Sequence, residues 1–261
     1  MPIISTFCKK GGVGKTTFLG YLAHFYANQG KTVLIISADD QNSIFKIFGC
    51  ENFVTDNDDD FFENLLVGEK KPEEVVFEAR PGMYLMKTLN TDRLSINLTL
   101  KRSEEKKLRI LIEDFTNYFD YIFVDFPPSS SRLTEILLDI SEKILLVVGL
   151  DPLGIDGYKN TIQYFVDCDI EISKISHIIP IGYHPIKITP NKSLKELKNL
   201  AQNYSPDAII ATPIKDKAVI QNLQSEGISV FDNHMMKDKF HQKNLNEIAK
   251  DLTEVYNSIV L

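Results

Sequence analysis

Residues 9 to 17 read Lys-Lys-Gly-Gly-Val-Gly-Lys-Thr-Thr and follow an apolar run, Ile3 to Cys8, whose pattern predicts a first strand. Gly11, Gly12 and Gly14 allow backbone N–H groups to approach phosphate oxygens, with Val13 between them and Thr17 closing the loop. Lys15 adds a point charge and Thr16 a hydroxyl suited to Mg²⁺. The chemistry of such a loop is the binding of a nucleoside triphosphate. It departs from the ordinary phosphate-binding loop in one respect. The position of the first glycine of that pattern is occupied by Lys9, and a second lysine, Lys10, stands directly before the paired glycines.

The elements that hold this loop follow from periodicity. From Lys15 to Gln29 the residues Leu19, Leu22, Ala23, Phe25 and Tyr26 recur at near-helical spacing, and Gly30 closes the segment as a C-cap does. Short, buried-type strand runs follow at Thr32–Ile36, Met83–Met86, Tyr121–Val124, Ile144–Val148, Ile175–Ile181 and Ala208–Ala211. Segments 103–118, 131–140, 155–166, 191–204, 217–226 and 239–259 read as helices. This alternation predicts an α/β fold: a doubly wound, mostly parallel sheet with helices on both faces. Ligands of such sheets bind at the carboxyl ends of the strands, where the glycine loop, Asp39 and Asp125 all fall. The last helix places Leu245, Ile248, Ala249, Leu252, Val255, Tyr256 and Ile259 on one face. Glu247, Asp251, Glu254 and a single Lys250 flank them, the pattern of a packed terminal helix and not of a basic membrane-surface one.

With 261 residues and no Pro/Gly/Ser-rich linker, repeat or low-complexity segment, the expected organisation is a single domain over 1–261. The acidic stretch from Glu51 to Asp60 reads as a solvated loop. No apolar run approaches the roughly 20 residues of a membrane span, and the chain opens directly on a strand, so a cytoplasmic protein without a signal peptide is expected. Cys8, Cys50 and Cys168 are odd in number and unpaired in spacing, which argues against disulfides and metal clusters. His24, His177, His184, His234 and His241 show no metal-ligand spacing. A net charge of −7 excludes nucleic-acid binding over the whole surface and leaves room for a local patch.

The Lys-Gly-Gly-Val-Gly-Lys-Thr-Thr loop, with Lys10 and Lys15 together, resembles the deviant Walker A motif of the ParA/MinD superfamily of P-loop ATPases. That resemblance implies Mg-ATP as ligand and a nucleotide-sandwich homodimer in which Lys10 reaches the phosphates of the other subunit. Val124 to Ser129, Val-Asp-Phe-Pro-Pro-Ser, is similar to the family's Walker B strand and its continuation; Asp125 would join Thr16 in holding Mg²⁺, and Pro127 and Pro128 would stiffen a switch. Ser37 to Ser43 matches the family's Asp-x-Asp-Pro-Gln on Gln41, which puts the water-activating aspartate on Asp39. Ser37 and Asp40 replace the first aspartate and the proline. Residues 149–158 resemble the loop that carries a helix toward the dimer interface. In 211–232 the order Thr212, Pro213, Ile214 is similar to the family's adenine-lining turn, so the resemblance implies adenine contact by Pro213 and Ile214. Tyr183 is expected as a further wall of the base pocket, because loops at the binding edge supply base contacts.

The resemblance further implies an ATP hydrolase that switches a cargo. The paired cysteines of cluster carriers, the tyrosine tail of the kinases and the basic terminal helix of membrane binders are lacking, and elimination leaves DNA partition with a ParB-like partner. Lys187, Lys192, Lys195 and Lys198 against Glu196, with Lys215, Lys217, Lys237, Lys239 and Lys243, form the expected patch for non-specific DNA. The glycine loop begins at residue 9, so no helix-turn-helix is expected before it. The alternative is a MinD-like positioning ATPase at a membrane or pole.

Overall fold

The computed structural model describes residues 2–55, 62–215, 219–232 and 239–259. The chain begins with β1 (Ile3–Phe7), α1 (Lys15–Asn28) and β2 (Val33–Ser37). Four short helices follow, α2 (Ser43–Ile47), α3 (Asn52–Thr55), α4 (Phe62–Val67) and α5 (Pro72–Val75), then β3 (Val76–Arg80) and β4 (Met83–Met86). The middle contains α6 (Thr91–Leu100), α7 (Arg102–Phe115), β5 (Tyr121–Asp125), α8 (Arg132–Ile140), β6 (Lys143–Gly149) and α9 (Pro152–Asp167). Then come β7 (Ile175–Tyr183), α10 (Ile188–Tyr204), β8 (Ile209–Ile210), β9 (Ile214–Lys215), α11 (Val219–Ser225) and α12 (Lys239–Ser258).

The strands form one sheet in the order β3-β4-β2-β5-β1-β6-β7-β8, with β9 also on β7. All pairings are parallel except β3 with β4. The order reverses around β1, whose two neighbours are β5 and β6, so the crevice for a ligand opens above its carboxyl end. Val33 to Ile36 and Ile144 to Val148 are fully buried because helices cover both faces. One apolar cluster lies under α8 and α9 and includes Phe7, Leu137 and Phe165. The other, under α1 and α12, includes Leu22, Phe48 and Tyr256.

Several expectations need adjustment. β3 was not anticipated: Glu78, Ala79 and Arg80 have low strand propensity, and its place at the sheet edge demands little burial. The short helices α2 to α5 and the longer α6 lie where no helix was read. α10 starts at Ile188, three residues before the expected Asn191, because Pro190 falls in its first turn, where proline is tolerated. The expected strand Ala208–Ala211 is only Ile209–Ile210. Asp56 to Asp60, Lys217, His234 and Lys237 lie outside the described residues, as do the side chains of Lys239, His241, Lys243 and Leu245. Of the other apolar positions expected on one face of α12, Ile248, Leu252, Val255, Tyr256 and Ile259 are buried and Ala249 is partly buried.

One polar cluster ties the C-terminal segment to this core. Arg80 donates from Nε and Nη2 to the two carboxylate oxygens of Asp232 at 2.7 and 2.8 Å, and also to the carbonyls of Phe48 and Gly227. His24 of α1 lies 3.8 Å from Asp232 and shares a 2.8 Å hydrogen bond with Ser229.

Candidate nucleotide-binding site

Gly12 and Gly14 take φ of 70° and 85°, left-handed values that favour glycine, and this turns the loop after β1 into a cradle. A Cβ on Gly12 would meet nothing within 4 Å, so space for a ligand lies over it. Gly14 caps α1 without a side-chain partner for the first-turn amides, which leaves them and the positive end of the helix dipole for an anion. Lys15 is buried and donates to the carbonyl of Lys10 at 3.1 Å. Burial draws its pKa below the ordinary lysine value, and the nearby Cys8, Asp125 and Asp39 oppose the shift.

Asp125 ends β5 beside this loop, its Cα paired in register with Thr6 of β1 and Ser37 of β2. Its Oδ1 accepts from the hydroxyl of Thr16 at 3.1 Å, whereas Oδ2 is buried with no hydrogen-bond partner. Desolvation pushes this carboxyl up to about 7, against the hydrogen bond from Thr16 and the charge of Lys15. A buried carboxylate with an open oxygen is costly by itself and is suited to a cation shell.

A cleft of about 830 Å³ runs from the cradle to α11 and α12. Gly11 to Phe18, Asp39 and Ile214 line it, so most of the sequence-predicted site converges here. Lys10 is absent from the lining: its stem packs on α9, where a Cβ at Gly157 would lie 2.8 Å from the Cβ of Lys10. Pro213 is likewise outside the lining, next to Ile214. Tyr183 is a correction. It packs with the cluster under α8 and α9, while Ile181, two residues earlier, belongs to the opposite cluster and lines the cleft. Gly182, at φ 84° beside a register shift, breaks the alternation that would have kept both on one face.

The loop after β2 is pinned from below. Ser37 is fully buried and donates to the carbonyl of Asp39 at 3.0 Å, while Thr88 donates to the carbonyl of Ser37 at 2.6 Å. Asn42 bridges Asp40 and Thr88 through both ends of its amide. Asp39 Oδ1 accepts from the N–H of Gln41 at 3.0 Å, and the Asp40 carboxylate instead accepts from Thr91 and Gln41, away from the cleft. Sequence reasoning missed Thr88 and Asn42, as well as Gln221 and Gln224 of α11 in the cleft wall. Gln224 donates to the Thr17 hydroxyl. Its only sequence signal was membership of a helix near the expected base turn.

The AAA_31 family model, an AAA domain, matches residues 1–177. The chain belongs to this family. It is a P-loop ATPase of the ParA/MinD superfamily, as its fold and its relatives agree. It is 26% identical over 227 residues to the cell division protein PomZ of Myxococcus xanthus, spanning 85% of this chain and 69% of PomZ. It is 25% identical over 246 residues to a ParA family protein of Chlamydia trachomatis, spanning 88% and 90%. A Pseudomonas putida relative, 26% identical over 157 residues, is matched over 59% of either chain. Among solved structures, apo McdA of Cyanothece superposes with a TM-score of 0.80 at 16% identity over 100% of both chains. A plasmid partition protein of Borrelia burgdorferi bound to AMPPNP does so with 0.74 at 15% over 99% of both. Among the described residues of this ParA/MinD ATPase, no helix is long and apolar enough to cross a membrane.

Proposed function

We propose that this chain binds and hydrolyses Mg-ATP as a nucleotide-sandwich dimer switch, and that the switch partitions plasmid or chromosomal DNA. The observation that carries the reading is the divergence of two lysines on one loop. Lys15 is buried in the cleft, while Lys10 leaves it for the surface of α9. A phosphate cradle with its own lysine in place, and a second lysine directed elsewhere, fits a site completed by another copy of the chain. Lys10→Ala is expected to bind ATP as a monomer and to form no ATP-driven dimer; normal dimers by light scattering would remove the sandwich.

Within one subunit the roles follow from position. The N–H groups of residues 11–17 and Lys15 hold the phosphates, and Ile214 lines the base side. The open Oδ2 of Asp125 and the hydroxyl of Thr16 fit Mg²⁺, which when bound would neutralise charge on the phosphates. Asp39, held by the Gln41 amide at the cleft wall, orients the attacking water. Ser37 supplies no second carboxylate; its hydroxyl shapes the Asp39 backbone.

PomZ and the ParA family protein support a role in positioning or partition. Lys187, Lys192, Lys195 and Lys198 are exposed, and the last three, spaced by three on α10, fall within an arc of about 120°. They would neutralise DNA phosphates without reading sequence, with a steep dependence on salt. The unit is one domain over 1–261, supported by its single sheet, and acts in the cytoplasm with a ParB-like stimulating partner. ATP-dependent retention on DNA at low salt is the test, with loss expected for Lys195→Glu combined with Lys198→Glu. Binding to anionic liposomes in its place would sink partition and favour a MinD-like positioning role.

A further inference from the structure

Lys9 replaces the first glycine of the ordinary loop, and nothing in the phosphate cradle uses its side chain. Its backbone requires no glycine, since Lys9 is not among the residues at positive φ. Its N–H donates to Thr161 of α9 at 2.9 Å, and Thr161 in turn donates to the carbonyl of Gly157, the residue under the Lys10 stem. The Lys9 ammonium lies 4.5 Å from the centroid of the Tyr164 ring and donates to Ser130. Ser130 stands exposed, five residues after Asp125, in the connection between β5 and α8. The same connection touches the cradle once more, where a Cβ on Gly11 would sit 3.6 Å from Pro128.

One side chain thus joins three elements that meet around the phosphates: the glycine loop, the connection after Asp125, and α9. An ammonium held between a ring face and a hydroxyl is attracted to both, and its lysine stem fills the space between them. We propose that Lys9 is a positioning residue, a strut that holds the 126–131 connection against α9 and the glycine loop. It leaves ATP affinity alone and acts on the step in which that connection must occupy one place, turnover. The inference rests on the ATPase reading above for its kinetic consequence, though not for its structural one.

Three single variants and one double variant test it in the full chain. Lys9→Met keeps the stem and loses the charge, Ser130→Ala removes the hydroxyl that accepts from the Lys9 ammonium, and Lys9→Arg restores a donor. Lys9→Met is expected to bind a fluorescent ATP analogue as the parent does, to lose roughly tenfold in kcat with KM unchanged, and to exchange the amides of 126–131 faster. Ser130→Ala should act in the same direction, the double variant should be less impaired than the two losses multiplied, and Lys9→Arg should recover most of the rate. Parental kcat and exchange in Lys9→Met, or strictly multiplicative losses in the double variant, would overturn the strut. If the parent itself turns over no ATP, the ATPase reading fails, and the exchange comparison in the free protein decides the strut alone.

Discussion

Asp125→Asn is expected to stabilise the free protein while nearly abolishing its activity. In the folded chain the carboxyl is pushed up to about 7, against an ordinary 3.8, because burial leaves Oδ2 without a partner. The folded form therefore holds its proton more tightly than the unfolded one. The associated stability is present below about pH 4 and is lost as pH rises through 7. Asparagine keeps an acceptor for Thr16 and carries no charge, so at pH 8 the variant should gain about 2–4 kcal/mol. Differential scanning calorimetry without nucleotide reads this as a higher melting temperature. Mg²⁺-dependent ATP turnover should meanwhile fall about 100-fold or more. A variant less stable than its parent at pH 8 would show that the buried carboxylate is already compensated.

The second large effect belongs to Asp232→Ala. Asp232 and Arg80 are almost fully enclosed, with side-chain exposures of 7% and 13%, and Arg80 also holds the carbonyls of Phe48 and Gly227. Removal of the carboxylate leaves a guanidinium with no anion in a largely enclosed site, at a cost of about 3–5 kcal/mol. The neighbouring Gly49 and Gly227 line the cleft, so nucleotide affinity should weaken together with stability. Urea denaturation with and without ATP separates the two, and a loss below about 1 kcal/mol would mean that water reaches Arg80.

The same cluster sets an acid response. Burial draws His24 down to about 4, in spite of Asp232, so its contribution is complete above pH 6.5 and is lost as pH falls through 4. Over this window Asp125 changes stability in the opposite sense, so the two largely cancel in the parent. Asp125→Asn should uncover the acid sensitivity of His24.

The structure explains how far local pattern reached. The cradle was legible because its chemistry is local: glycines, a lysine and a threonine on consecutive residues carry their own geometry. The central strands were legible because burial on both faces leaves an uninterrupted apolar run, and the sheet order then brings Asp39 and Asp125 to the cradle from residues far apart in sequence. Edge strand β3 escaped because it buries little, whereas α2 and α4 bury core side chains such as Phe45 and Phe62 but, like α3 and α5, are too short to show a helical period. Tyr183 escaped for another reason, a single left-handed glycine that moved it to the other face of the sheet.

By itself the sequence determined a triphosphate loop with two lysines, the parallel sheet behind it and the carboxylates at its edge, since each depends on short-range residue types. Only the tertiary structure decided that Lys15 enters the cleft while Lys10 leaves it, that Oδ2 of Asp125 has no partner, and that Lys9 reaches Ser130. These depend on how β5, α9 and the glycine loop converge, and side-chain direction and desolvation are properties of that convergence rather than of any one segment.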